Sequence, residues 1–241
     1  MDDKLQGVVL QSIRYGDTSL IVKIYTRNFG LQSYIIKGAF RHTSKSRTAF
    51  FQPLNVIEFV VSGKNIHSTL GYIKDVQMVF FYQTLFSEMK KTAILMYVAE
   101  LLSKSLTEQE QNLALYDFIV HSLQWLDLTE ENYANFPLVF TLELSRFLGF
   151  YPKTNDASLP FFDMMEGHFV SSAPIHPYYL GNDSAAILSV MLNQDLEKTM
   201  RLPLNLTQRR NLLDGVITFM RLHAPFLKNL QSIEVLQSVL G

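Results

Sequence analysis

Residues 5–37, LQGVVLQSIRYGDTSLIVKIYTRNFGLQSYIIK, alternate between apolar and polar positions and are rich in Val, Ile and Tyr. Period-two alternation is the signature of half-buried strands, because successive side chains point to opposite faces. Turn residues break the run at Tyr15-Gly16-Asp17 and Asn28-Phe29-Gly30, so it reads as strands over 5–13, 18–26 and 31–37. Two more follow, over 54–61 and 66–80, separated by Ser62-Gly63-Lys64-Asn65. Five short strands in about eighty residues, with a longer connection between the third and fourth, suit a closed Greek-key barrel of the OB-fold type, with an SH3-like barrel as the structural rival.

Beyond Phe81 the apolar period changes to that of helices, with Leu85, Met89, Ala93, Tyr97 and Leu101, then Leu115, Ile119, Leu123 and Leu126. The chain is therefore expected to be multidomain α+β, with a barrel over 1–81 and a mainly helical domain over 82–241. Thr107-Glu108-Gln109-Glu110 has the spacing of a capping box ahead of the second helix. The helix through Phe140, Leu144 and Phe147 should stop at Gly149, with Pro152 beyond it. Residues 150–182, with Pro152, Pro160, Pro174 and Pro177, read as an irregular insertion before helices resume near 182–196 and 207–227.

The chain has 241 residues and a formal net charge of -1, but the charge is unevenly distributed. Residues 1–80 carry ten Lys and Arg against five Asp and Glu, leaving eleven against seventeen in the remainder. Asymmetry of this kind points to a polyanion at the N-terminal part and another partner elsewhere. The absence of cysteine excludes disulfides, thiol nucleophiles and thiolate zinc sites. The opening MDDKLQGVVL lacks the basic and apolar regions of a signal peptide, and no apolar run approaches the ~20 residues of a membrane span. A cytoplasmic protein is expected.

The densest charge feature is Arg14, Lys23, Arg27, Lys37, Arg41, Lys45 and Arg47, with Asp17 the one acidic residue among them. On the second strand Lys23 and Tyr25 share a side opposite Leu20, Val22 and Ile24, so a cation and an aromatic ring would face outward. Cations neutralise phosphates and release counterions, while rings such as Tyr25, Tyr34 or Phe40 are candidates for stacking on bases. A run of Lys and Arg is more often a solvated face, and Tyr34 and Phe40 also suit a core.

GVVLQSIRYGDTSLIVKIYTRNFGLQSYIIKGAFR at 7–41, the basic loop after it and FQPLNVIEF at 51–59 resemble the N-terminal domain of the RecO family of bacterial recombination mediators. LELSRFLGFYP at 142–152, PFFDMMEGHFV at 160–170 and HPYYL at 176–180 resemble the middle of that family's C-terminal domain. The resemblance implies an OB-fold that binds single- and double-stranded DNA, joined to a helical domain. Such a protein anneals complementary strands and helps load RecA with its partner RecR. It places DNA contacts on Lys37, Arg41, Lys45 and Arg47, Arg41 and Lys45 foremost, with Arg14, Lys23 and Arg27 in support. Many family members have consecutive basic residues after the KGA-like triplet. Phe40 and His42 interrupt that pattern here, which implies fewer phosphate contacts.

Many family members also hold a four-cysteine zinc module after the GFYP-like segment, which this chain cannot build. No cofactor or metal is expected. His168 and His176, with Asp156, Asp163, Glu166 and Asp183, fit no metal-ligand spacing and read as turn-fixing polar groups. No P-loop, GxSxG, HExxH or GxGxxG appears, so an enzyme is not expected. The C-terminal segment 207–240 sets Arg209, Arg210, Arg221 and Lys228 among Leu, Phe and Met. Core packing is its plain reading. The resemblance adds a peptide site near Arg209, Arg210 and Arg221 for the acidic, hydrophobic tail of single-stranded DNA-binding protein. Two other functions compete: an OB-fold adaptor whose basic face meets an acidic protein, and a metal-dependent hydrolase using the 156–183 cluster.

Overall fold

The computed structural model describes residues 3–40, 47–62, 71–227 and 229–240. Five strands, β1 (Asp3–Tyr15), β2 (Ser19–Thr26), β3 (Gly30–Ile36), β4 (Val56–Ser62) and β5 (Gly71–Met78), close a barrel in the order β1-β2-β3-β5-β4. β3 pairs parallel to β5 and all other pairs are antiparallel. That order and that single parallel pairing are the OB-fold arrangement. Inward positions of the alternation supply the core: Val9, Val22, Ile24, Ile36, Phe51, Ile57 and Phe59 are essentially inaccessible, and Tyr34 packs edge-on against Phe59 with ring centroids 5.0 Å apart.

Strand ends differ from the sequence expectation for local reasons. β1 continues to Tyr15, which pairs with Ser19 and narrows the turn to 16–18. β4 begins at Val56 rather than Leu54, because Leu54 sits in the left-handed region at φ 67° and cannot continue a ladder. The first part of the fifth expected strand, 66–70, lies outside the described residues.

Seven α-helices follow among the described residues: α1 (Met89–Ser105), α2 (Leu113–Leu128), α3 (Phe136–Phe147), α4 (Asn182–Asn193), α5 (Leu196–Met200), α6 (Leu206–His223) and α7 (Ser232–Leu240). The chain divides into two compact units, Met1–Lys91 with Val98–Leu128, and Thr92–Tyr97 with Thr129–Gly241.

In the first unit the segment before α2 packs on the barrel. Leu31 N–H donates to the Glu108 carbonyl at 2.9 Å, so the Thr107–Glu110 stretch serves the barrel instead of capping α2. The cap falls to Asn112, whose Oδ1 accepts from Leu115 N–H at 3.0 Å. Gly30 makes this approach possible. Its φ is +60°, and a Cβ there would lie 2.7 Å from the Glu108 carbonyl oxygen and closer still to that of Glu110. Gly30→Ala is expected to destabilise the protein by about 2 kcal/mol through clash and positive φ together, read as a lowered denaturant midpoint.

In the second unit α3 is buried along nearly its whole length and packs against α5 and α6. It ends as its sequence predicts. Gly149 at φ +85° donates to the Arg146 carbonyl (3.3 Å) and Phe150 N–H to that of Ser145 (3.1 Å), the paired bonds of a Schellman motif. α6 opens on a capping box between Asn205 and Gln208 and stops before Pro225. Residues 150–182, expected to be irregular, contain a three-stranded sheet in the order β7-β6-β8, with β6 (Phe161–Asp163), β7 (His168–Val170) and β8 (Tyr179–Leu180). Phe162 seats it on α6 through Phe219, with ring centroids 5.7 Å apart.

Candidate nucleic-acid interface

Strand register gathers the chemistry. Antiparallel pairing sets the end of β1 by the start of β2 and the start of β2 by the end of β3, and the stagger of the parallel pair, with Tyr34 opposite Gly71, brings the start of β5 beside them at one end of the barrel. There Arg14 lies over the Phe40 ring, 5.1 Å from its centroid, and donates to the Asp17 carbonyl at 3.2 Å. Phe40 is held to the β1–β2 turn by its N–H donating to the Thr18 carbonyl. Lys37 at the end of β3 sits 4.2 Å from the centroid of Tyr72 on β5. Arg47 donates to the Lys74 carbonyl on the same strand. Tyr15, Phe40 and Tyr72 are exposed large rings at this end.

Cations stacked over exposed rings are held out of the core yet partly ordered, so phosphates and bases can meet the same surface at a reduced entropic cost. Arg14, Lys37, Phe40 and Arg47 thus come together. Lys23 lies mid-strand on β2, between Gln11 and Ser33, and is half-buried. Arg41 and Lys45 lie outside the described residues. Tyr15, Tyr72 and Lys74 were not singled out from the sequence. Tyr72 and Lys74 were legible there, since they alternate with the inward Gly71 and Ile73.

Three expectations need correction. Tyr25 and Tyr34 are 3% and 5% exposed, which leaves neither ring a free face for a base. Tyr34 points inward to Phe59, and burial pushes its hydroxyl up to about 12. The expected outward face at Tyr25 is covered within the first unit. Burial, with the Glu108 carboxylate adding, raises its hydroxyl to about 12. Arg27 lies at the other end of β2, 3.7 Å from Asp117 and 5.9 Å from the centroid of the Tyr116 ring. It is thereby engaged with α2, away from the cationic end.

In the second unit His176 Nε2 lies 3.3 Å from Asp163 Oδ2, and Asp163 Oδ1 accepts from Met165 and Glu166 N–H. The pair joins the hairpin to the approach of β8. His168 stands apart, half-buried, with Nδ1 3.4 Å from the Glu166 carbonyl. Among the described residues no three His, Asp or Glu side chains are grouped as a metal site. Nor is any helix among them long and apolar enough to cross a membrane.

An apolar groove lies between α3, α6 and α7, lined by Pro137, Leu138, Leu206, Leu213, Leu236 and Leu240, with Arg209 and Arg210 at its margin. Arg209 donates to Asn135 Oδ1 (3.0 Å) and the Leu204 carbonyl (2.9 Å), and Arg210 to the Gln237 carbonyl (3.0 Å). Arg221 lies outside this groove, roughly 16 Å further along α6 at 1.5 Å per residue. Its Nε is buried with no hydrogen-bond partner among the described residues. Lys228 lies outside the described residues.

Barrel topology and a cationic, aromatic barrel end define an OB-fold protein whose chain continues into a mainly helical part. Family models for both parts match, Recombination protein O N terminal over residues 1–82 and Recombination protein O C terminal over 87–230. The chain belongs to the RecO family. It is 35% identical to the DNA repair protein RecO of Phocaeicola vulgatus over 240 residues, 99% of both chains. It is 33% identical to that of Azobacteroides pseudotrichonymphae over 240 residues, 98% of both, and 32% identical to that of Flavobacterium psychrophilum over 241 residues, 99% of both.

Proposed function

We propose that this protein is a DNA repair and recombination mediator without catalytic activity of its own. It binds single- and double-stranded DNA through the cationic barrel end, anneals complementary strands, and assists RecA loading with RecR in the cytoplasm. The observation that carries this reading is the grouping of Arg14, Lys37, Arg47 and Lys74 with Tyr15, Phe40 and Tyr72 at one end of an OB barrel. The names of its full-length relatives support it. Residues 1–81 act as the DNA-binding part and 82–241 as the partner platform, with 150–182 as an insertion in it. Arg41 and Lys45 extend the DNA contact beyond the described residues, and Lys23 continues it along β2.

Mixing the protein with complementary labelled strands tests the reading. Annealing faster than the spontaneous rate, and suppressed by salt, is expected because cations that screen one strand let another approach. An unchanged rate would overturn it.

The platform receives the acidic, apolar C-terminal tail of single-stranded DNA-binding protein in the α3–α6–α7 groove. Apolar residues take its hydrophobic end and Arg209 and Arg210 meet its carboxylates. Arg210→Glu is expected to weaken a fluorescent tail peptide by roughly tenfold or more in anisotropy titrations, because it places a like charge beside the peptide. Equal affinity would remove the groove from the account.

A further inference from the structure

Within the first unit the start of β4 and the end of β5 frame a cavity of about 350 Å³. Phe50, Phe81, Tyr82 and Phe86 form much of its wall, with Met78 and Asn55. Phe81 is 79% exposed, an unusual state for so large an apolar ring, and Phe86 is exposed beside it. Tyr82 keeps its hydroxyl occupied, donating to the Leu54 carbonyl at 2.8 Å, so it offers the cavity a ring rather than a polar group.

Two amides interrupt this apolar lining, the exposed Gln52 and the buried Asn55. Asn55 Nδ2 donates to the carbonyls of Ala49 (2.9 Å) and Phe50 (3.2 Å), which fixes the amide orientation. Oδ1 is then a buried acceptor with no hydrogen-bond partner among the described residues. A buried acceptor left unpaired is costly, so a ligand N–H brought to it from the cavity that Asn55 lines would relieve that cost.

The cavity is also connected to the cationic end of the barrel. The 3-10 turn Arg47–Phe51 carries Arg47, bonded to the Lys74 carbonyl, at its start and Phe50 of the cavity wall near its end. β5 runs in parallel from Tyr72 and Lys74 to Met78 of the wall, roughly 13 Å from Lys74 at 3.3 Å per residue.

We propose that this cavity receives one unpaired base of a DNA strand held at the cationic barrel end, between the Phe81 and Phe86 rings and with its N–H directed to Asn55. The proposal rests on the DNA-binding reading above and adds a preference for single strands. Each of the four bases carries a ring N–H or amino donor on its pairing edge, so the site tolerates any sequence. In a duplex those donors are committed to the opposite strand, and the stacked base cannot enter.

The test compares oligothymidylate with an abasic strand of equal length and phosphate count, against the unaltered protein and Phe81→Ala/Phe86→Ala. The two strands present the same charge, so the difference between them reports the bases alone. The double variant is expected to lose on the order of 5- to 50-fold in affinity for oligothymidylate, within the range of single base–aromatic stacks, and to keep its affinity for the abasic strand. Retained abasic binding shows that the variant is folded. Unchanged affinity for both strands, or an equal loss on both, would overturn the base site. Unchanged affinity would also leave the cavity to a partner protein's side chain. If the unaltered protein bound neither strand at low salt, the DNA-binding reading itself would fall.

Discussion

Replacing Arg14, Lys37 and Lys74 together by Glu is expected to lower the affinity for single-stranded DNA roughly 100-fold at moderate salt, with a shallower salt dependence. The three side chains stand at the same barrel end, Arg14 over Phe40, Lys37 over Tyr72 and Lys74 two residues along β5. All three are exposed, so the substitutions touch no core residue and should alter stability only slightly. Each reversal removes a phosphate contact and adds a repulsion. The same exchange at Arg27 should cost far less DNA affinity, since Arg27 faces Asp117 at the other end of β2. Fluorescence anisotropy of labelled strands checks both. Equal losses at the two ends would mean that net charge, rather than this surface, governs binding.

The largest expected effect on stability is at Asp127. Its carboxylate accepts from the N–H groups of Gln83, Thr84 and Leu85 at 2.8–3.1 Å, just where the chain leaves the barrel for α1. Thr84 Oγ1 donates to the Asp127 carbonyl at 2.6 Å, and the buried Lys91 ammonium donates to that carbonyl and to Thr84 Oγ1. A carboxylate in the last turn of α2 opposes the helix dipole, and the Lys91 cation offsets this.

Burial by itself raises the Asp127 carboxyl; the three backbone donors outweigh it and hold the group below the ordinary carboxylate range. Asp127→Asn turns part of the acceptor into a donor facing other donors. It is expected to cost about 3 kcal/mol in chemical denaturation at neutral pH. A folded value lower than the unfolded one adds stability that is complete above the unfolded value, near pH 4. That stability is lost as pH falls through the folded value. The Asn variant should therefore show a flatter acid limb below about pH 4 than the unaltered protein. Parallel acid limbs would show that the carboxylate's charge is not the stabilising element.

The barrel was legible because period-two alternation persists through β1, β2 and β3, and inward Val22 and Ile24 fell where the pattern put them. Tyr25 was misread for a reason alternation cannot carry. The segment that covers it, near Glu108, lies about eighty residues along the chain, and an outward position is exposed only if nothing packs on it. Tyr34 was ambiguous because both faces of β3 carry apolar residues. The hairpin at Phe161–Val170 was hidden by the prolines around it, although Gly167 between two short aromatic runs is a turn signal. At the candidate interface the sequence supplied Arg14, Lys37, Phe40 and Arg47. The outward position of Tyr72 and Lys74 follows from their alternation with Gly71 and Ile73, but their place beside Lys37 emerges only when the barrel closes, since β5 joins β3 across a long stretch of chain.

Titrating labelled single-stranded DNA with the protein from low to physiological salt tests the central claim most directly. Four cations at the barrel end, each meeting one phosphate at a slope of roughly 0.7, predict that log affinity falls against log salt with a slope of about -3, somewhat steeper if Arg41 and Lys45 also take part. Absence of binding at low salt, or binding indifferent to salt, would contradict the account and leave the barrel end as a surface for something other than nucleic acid.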